Sequence, residues 1–410
     1  MSNLKTSEID YDLFAPEFLF NSYPLYKLIR SKDPVYYYKK GGFWYLTRYK
    51  DVEASYQDTR LSSDRSSLFV QQLEGVDLNT IQNFRFLMGN MMVEKDPPHH
   101  TELRKISLPG FVPRALENWR SIIQETTDNL LDQVEAQGRM DIVADLSLKL
   151  PYHIMAKIFD VPKEYREEFI QWTKDITNFW GVSGNENIQE IAHKADRAAV
   201  SFIAALKELI AKRQQQPGTD MISLLVVSYI ENEINLELLP SLCILILNAG
   251  YLTTVDLIPN GINALLNHPH ELRRLKENPE LIDSAIEEMI RFDAAATHSL
   301  RVAKENLTIG GKEISAGSVV ALGIAAANHD PEKFENPEVF NITRSPNEHL
   351  GFGKGIHFCL GSVLARMELK ICFSTLLKRM PNLMFNPNYT PVVKRNSLAF
   401  KGFESLRVKF

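Results

Sequence analysis

"HLGFGKGIHFCLGSVLARMELKICFSTLLKRM", residues 349–380, changes character at a single cysteine. Gly351, Gly353 and Gly355 precede Cys359, and Gly361 follows it. Immediately afterwards Leu360, Val363, Leu364 and Met367 fall at the i, i+3, i+4, i+7 spacing of a helix. The pattern predicts a glycine-rich turn that enters a helix at Cys359. Partial positive charge and free N–H groups at a helix start favour thiolate over thiol. Glycines let the backbone approach a flat ligand and aim amides at the sulfur. A cysteine held this way is a nucleophile or a metal ligand. The nucleophile reading wants a base and an oxyanion site; His357 offers itself as the base, but no second histidine or Asn/Asp arrangement accompanies it. Cys243 and Cys372 lie in apolar helical stripes and read as buried and inert.

Upstream, "LILNAGYLTTVDLIPNG" (245–261) interrupts what otherwise reads as a long buried helix from Leu236 to Asn267, about 48 Å at 1.5 Å per residue. Gly250 costs about 1 kcal/mol against alanine in a helix interior, and Pro259 about 3 kcal/mol. A helix that accepts both answers to something other than packing.

The remaining chain bounds the answer. At 410 residues it can build one large core, and 44% hydrophobic with 24% charged residues is ordinary for a soluble globular protein. A net charge of −5 argues against a nucleic-acid-binding surface. Three unpatterned cysteines fit a reducing compartment. The N-terminus lacks the basic and apolar regions of a signal peptide, and the run "LCILILNAGYL" is too short to span a bilayer, so a cytoplasmic location with no membrane partner is expected. Helical periodicity dominates from about Arg114 to Phe292. Gly-Gly pairs inside "PVYYYKKGGFWYLTRY" and "LTIGGKEISAGSVVAL" predict hairpins, and "SLRVKF" a terminal strand. "AKRQQQPGTD" and "MFNPNYTPVV" read as loops rather than linkers, so residues 1–410 are expected to form a single, mainly α domain with small peripheral sheets.

"FGKGIHFCLG" resembles the haem-ligand signature of the cytochrome P-450 superfamily, with Phe352, Gly355, Cys359 and Gly361 at the signature positions. Three further matches occur in order: "EEMIR", where Glu288 and Arg291 fill Glu-x-x-Arg; "DPPHHTELRKI", similar to a bacterial stretch whose histidine and arginine grip haem propionates; and the long helix, which resembles the oxygen-binding helix. The likeness runs from about Asp12 to the C-terminus. It implies the cytochrome P-450 fold, with haem b between the long helix and the cysteine loop, and Cys359 as the iron ligand. It also implies a bacterial enzyme of the kind that tailors polyketides, antibiotics or other secondary metabolites. His100, Arg104, Arg301 and His357 become propionate contacts, with Phe352, Gly353 and Ala249 against the haem. Glu288, Arg291 and Arg344 become a buried structural network. Glu287 and His99 have no such position and read as solvated. Gly250 and the Thr253 hydroxyl, bonded to an i−4 carbonyl, would open the helix locally for O2, with Thr253 and Thr254 serving proton delivery.

Leu252 departs from this pattern, since the family usually has Asp or Glu there and leucine cannot relay a proton. Water anchored by Thr253 and Thr254, Asp256 one turn on, or a polar group of the substrate could substitute. The third is preferred because it needs no unusual helix geometry. By position the substrate pocket would draw on Phe86, Met88, Met91, Met92, Leu252, Thr297, His298, Leu398 and Phe400, which suits a bulky, mainly apolar small molecule, free or carrier-bound. No flavin or nicotinamide segment is present, so electrons would come from a ferredoxin or flavodoxin with its reductase. That partner would dock on the cysteine side near Arg104, Lys105, Arg114 and Lys354 of a monomer. The expected activity is a monooxygenase hydroxylating or epoxidising its substrate. Rivals are a desaturase, isomerase or peroxide-using relative, and a non-catalytic haem sensor.

Overall fold

The computed structural model describes residues 11–13, 15, 18, 21–181, 187–394 and 398–410. Its centre is the helix Leu239–Asn267, entered through a 3-10 turn at Leu236–Leu238, close to the predicted bounds. The stretch 236–267 is long and apolar enough to cross a membrane, yet 72% of its most apolar window is buried in protein, which makes it a core helix. Glycine and proline do not break it; the helix is continuous through Gly250 and Pro259.

Around it pack the helices Pro113–Glu135, Leu150–Ile158, Ile188–Gln215, Ile282–Phe292 and Ser362–Arg379, whose apolar faces join the largest hydrophobic cluster. The sheets are peripheral. Five strands lie in the order Val35–Tyr38, Phe43–Leu46, Val319–Leu322, Ser299–Ala303, Leu61–Ser62. Both Gly-Gly hairpins form: Tyr38 pairs with Phe43 across Gly41-Gly42, and Ile309 with Lys312 across Gly310-Gly311. Gly310 and Gly311 both have positive φ (56° and 83°), the geometry that a two-residue hairpin of this hand requires. The terminal strand Arg407–Lys409 pairs with both Arg139–Asp141 and Met384–Phe385. The segment read as a loop, "MFNPNYTPVV", therefore carries two short strands, Met384–Phe385 and Val392–Val393, because partners distant in sequence supply its hydrogen bonds.

Candidate active site

The loop helix begins at Ser362 with Gly361 as its cap, three residues after the predicted start. Cys359 sits in the loop ahead of it, behind a 3-10 turn at Gly355–His357. Val363, read as part of the buried stripe, is 55% exposed. Gly355 has a φ of 70°, and a Cβ there would lie 2.7 Å from the Tyr56 carbonyl oxygen, so the loop can pass this point only as glycine. The Cys359 N–H donates to the Phe352 carbonyl at 2.9 Å, and Arg104 Nη2 to the Phe358 carbonyl at 2.7 Å. Burial pushes the Cys359 thiol above its ordinary value, against the opposing pull of the Gly361 amide, Arg104 and Arg366. The expected bias toward thiolate is thus outweighed by desolvation in the protein alone.

Beneath the loop the predicted network is present. Arg291 binds Glu288 through Nε and Nη2 at 2.7 and 2.8 Å, both side chains fully buried. Arg344 Nε reaches Glu288 Oε2 at 3.1 Å, and its Nη1 donates to the Glu335 carbonyl at 2.7 Å. Arg291 Nη1 holds the carbonyls of Asn328 and Pro337, and the Asn341 N–H donates to Glu288 Oε1. Every charge has several partners, the condition under which a buried ion pair is tolerable.

Glu287 overturns its reading as a solvated residue. Arg366 grips it with two bonds, Nε–Oε1 at 2.6 Å and Nη2–Oε2 at 2.8 Å, and His349 Nε2 lies 3.1 Å from Oε2. Burial would raise this carboxyl, but the bonds from Arg366 and His349 bring it down to about 2.

On the other flank of the loop, the His100 and His357 rings stand 4.0 Å apart. Both His100 nitrogens and His357 Nε2 are buried without a hydrogen-bond partner. Burial, then the neighbouring His100 and Arg301, pushes His357 down to about 3; burial and Arg104 lower His100. Arg301 is 6% exposed and donates only to Ser299 Oγ and the Leu300 carbonyl, its guanidinium over the Tyr56 ring. Among the described residues no carboxylate pairs with it. Buried donors and cations left this way cost free energy until an acidic ligand meets them. His99, by contrast, is exposed, as expected.

The long helix shows a corresponding feature. From Leu239 to Asn248 every residue is buried; Ala249 is then exposed, and Gly250, Leu252 and Thr253 are half-exposed, before burial resumes at Thr254. This notch lies where O2 access was expected. Thr253 Oγ1 donates to the Ala249 carbonyl at 3.3 Å without opening the helix. Gly250 also has a packing contact: a Cβ there would lie 2.8 Å from Met155 Sδ, at the flexible end of a side chain of the helix Leu150–Ile158. Asp256, one candidate to replace the missing acid, is already engaged. Its Oδ1 is paired with Lys394 Nζ at 2.6 Å, while burial, opposed by Lys394, raises it to about 6.

The expected pocket residues divide. Met91 is wholly buried and Met88 and Met92 nearly so, all three within the main core; Met91 is a core residue, not a lining one. Phe86 is exposed, turned away from the core face made by Phe84, Leu87 and Met88. The hydroxyl of Thr297 is spent on the Leu398 carbonyl, and its N–H on Ala399, so Thr297 and Leu398, both buried, hold the C-terminal segment in place. Ala296 and Phe400 form an isolated bridge. His298 is half-buried, pushed down to about 4 by desolvation and then by Arg65. Of the residues expected to meet a redox partner, Lys354 is paired with Glu53 and Arg104 is turned to the loop, while Lys105 and Arg114 are exposed.

A cysteine loop, a flank of unmet donors and a notched core helix define a site for a flat, doubly acidic prosthetic group. Comparison with known proteins agrees. Residues 66–383 match the family model for cytochrome P450. The chain is 38% identical over 404 residues to the biotin biosynthesis cytochrome P450 of Bacillus subtilis (strain 168), covering 97% of this chain and 98% of that one. It is 35% identical over 401 residues to the polyketide biosynthesis cytochrome P450 PksS of the same organism, covering 96% of each. The crystal structure of P450BioI in complex with an acyl carrier protein ligated to hexadec-9Z-enoic acid superimposes with a TM-score of 0.88 at 36% identity, covering 96% of this chain and all of that one. The chain belongs to the cytochrome P450 family. It is a monooxygenase, its cofactor is haem, and like its family it draws electrons from redox partners.

Proposed function

We propose that Cys359 ligates the haem iron and that the enzyme hydroxylates a bulky, mainly apolar molecule of secondary metabolism, an acyl or polyketide chain presented free or on a carrier protein. The observation that carries the site assignment is a set of groups on one flank of the loop that lack an acidic partner: the buried ring nitrogens of His100 and Nε2 of His357, which have no hydrogen-bond partner, and buried Arg301, which has no carboxylate among the described residues. His100, His357 and Arg301 fit two carboxylates, with Arg104 beside them. Haem held by a thiolate supplies the activation of O2 for insertion of one oxygen atom.

The chain's own residues do the rest. The Phe352 carbonyl fixes the Cys359 amide, and the Gly361 amide favours the charged sulfur. Ala249 and Gly250 keep the notch open, and the Thr253 hydroxyl holds and passes protons there. Leu252 supplies none, so a polar group of the substrate, with Thr253, orders the water, Thr254 being buried. A ferredoxin or flavodoxin with its reductase supplies electrons to the monomeric, cytosolic enzyme, and exposed Lys105 and Arg114 contribute to its docking.

The acyl-chain reading is supported by the relative seen with a loaded carrier protein and by the polyketide relative. It is tested by spectral titration with hexadec-9Z-enoic acid, free and carrier-loaded, followed by mass spectrometry of product made under labelled O2. One labelled oxygen per product is expected; product without label overturns the reading. A second reading, a peroxide-using or desaturating enzyme, is favoured by Leu252 together with the engagement of Asp256 by Lys394. Turnover with peroxide alone at the reductase-driven rate selects the first of these, and an unlabelled alkene product the second.

A further inference from the structure

Glu287 and Arg366 form a second clamp on the cysteine loop, separate from the Glu288 network. Arg366 Cζ stands 4.3 Å from the centroid of the Phe352 ring, close enough for a cation–π contact. Phe352 is the residue whose carbonyl receives the Cys359 N–H. The other arm of the clamp runs through His349. Its Nδ1 accepts the Gly351 N–H at 3.1 Å, so Nε2 carries the proton and donates to Glu287 Oε2. Gly351 is itself pinned, since a Cβ there would lie 2.4 Å from Ile290 Cγ2. Residues 349–352 are therefore gripped from one carboxylate by two routes, and the last of them holds the sulfur's own amide. Arg366 also places a positive charge on the first turns of the helix that leaves the cysteine loop.

We propose that Arg366 is a positioning residue that sets both the geometry and the electron-donating strength of Cys359, with Glu287 as its counterweight. This rests on the reading of Cys359 as the haem ligand. Removing the cation makes the surroundings of the sulfur more negative and resists addition of an electron to the iron; removing Glu287 does the reverse. The pair is partly exposed, 36% and 27%, so its substitution does not strand a wholly buried charge.

The test uses the purified holoenzyme and two readouts: the midpoint reduction potential, and the red-shifted Soret band of the reduced carbon monoxide complex. Arg366→Gln moves the potential to more negative values, and Glu287→Gln moves it to more positive ones. Arg366→Lys, which keeps the charge without the fork, restores at least half of the shift. Arg366→Gln and Arg366→Lys both lose the red-shifted band faster in mild denaturant, by about tenfold for each 1.4 kcal/mol of lost restraint. Potentials that move in the same direction in Arg366→Gln and Glu287→Gln, or do not move, reduce the clamp to a structural contact and overturn the proposal. Absence of the red-shifted band in the unmodified holoenzyme defeats the Cys359 reading instead, so the two failures are distinguishable.

Discussion

At position 252 a leucine occupies the notch beside Thr253, and Asp256, one turn on, is paired with Lys394. In the proposed reading, proton supply then depends on what the substrate brings. General acid–base groups contribute about 10²–10⁴-fold to a step, of which coupling reads only a part. Leu252→Glu is expected to raise product formed per NAD(P)H oxidised by about twofold or more with a substrate lacking polar groups, and to leave a well-coupled polar substrate unchanged. Equal coupling across unrelated substrates in the unmodified enzyme would refute this dependence. Gly250 makes a separate prediction. Alanine there gains about 1 kcal/mol of helix propensity and must displace only the flexible end of Met155. Gly250→Ala is therefore expected to change stability by less than about 1 kcal/mol, and Gly250→Val to cost about 1–3 kcal/mol through overpacking, both read by denaturant unfolding.

Among the elements, the helix Ile282–Phe292 carries two adjacent carboxylates that serve two different clamps. Arg291→Ala removes the bidentate partner of the buried Glu288 and leaves it the longer bond to Arg344 and amide donors; it is expected to cost about 3–5 kcal/mol, measured as a lower urea midpoint. The central helix is tied to the hairpin Val392–Val393/Phe403–Ser405 by Asp256 and Lys394, one turn beyond Thr253. Asp256 has a folded value of about 6, above its ordinary value near 3.8. Between these values the folded chain holds a proton that the unfolded chain lacks, so the stability from this group is fully present below about pH 4 and is lost as pH rises through 6. Asp256→Asn has no proton to gain. Its melting temperature is expected to fall relative to the unmodified enzyme on acidification from pH 7 to 5, by an amount set by up to one proton; parallel curves would contradict the raised value.

At the scale of the molecule, what could be read from sequence was what is local. The Gly-Gly hairpins, the bounds of the central helix and the Cys359 loop each lie within one short stretch. Glu288, Arg291 and Arg344 were found because the spacing and the family resemblance named them together. What escaped depends on partners far along the chain. Gly250 packs against Met155, 95 residues earlier, and Glu287 is held by His349 and Arg366, 62 and 79 residues later. Met91 shows the same limit, because periodicity does not say whether a methionine meets the core or a cavity. A Glu beside the Glu-x-x-Arg pair, with an Arg seven residues after the loop cysteine, is the signal that would have exposed the second clamp.

Of the three cysteines, Cys243 and Cys372 are sealed in the core, and only Cys359 is partly accessible. The chain therefore carries its own stoichiometric counter. Alkylation of the native protein at mildly alkaline pH, run to completion and followed by intact-mass measurement, should add one label to the fraction of molecules whose sulfur is free and none to the rest. A second label on folded protein would mean that the central or loop helix has opened. The ratio of labelled to unlabelled mass then titrates occupancy molecule by molecule, without any optical signal.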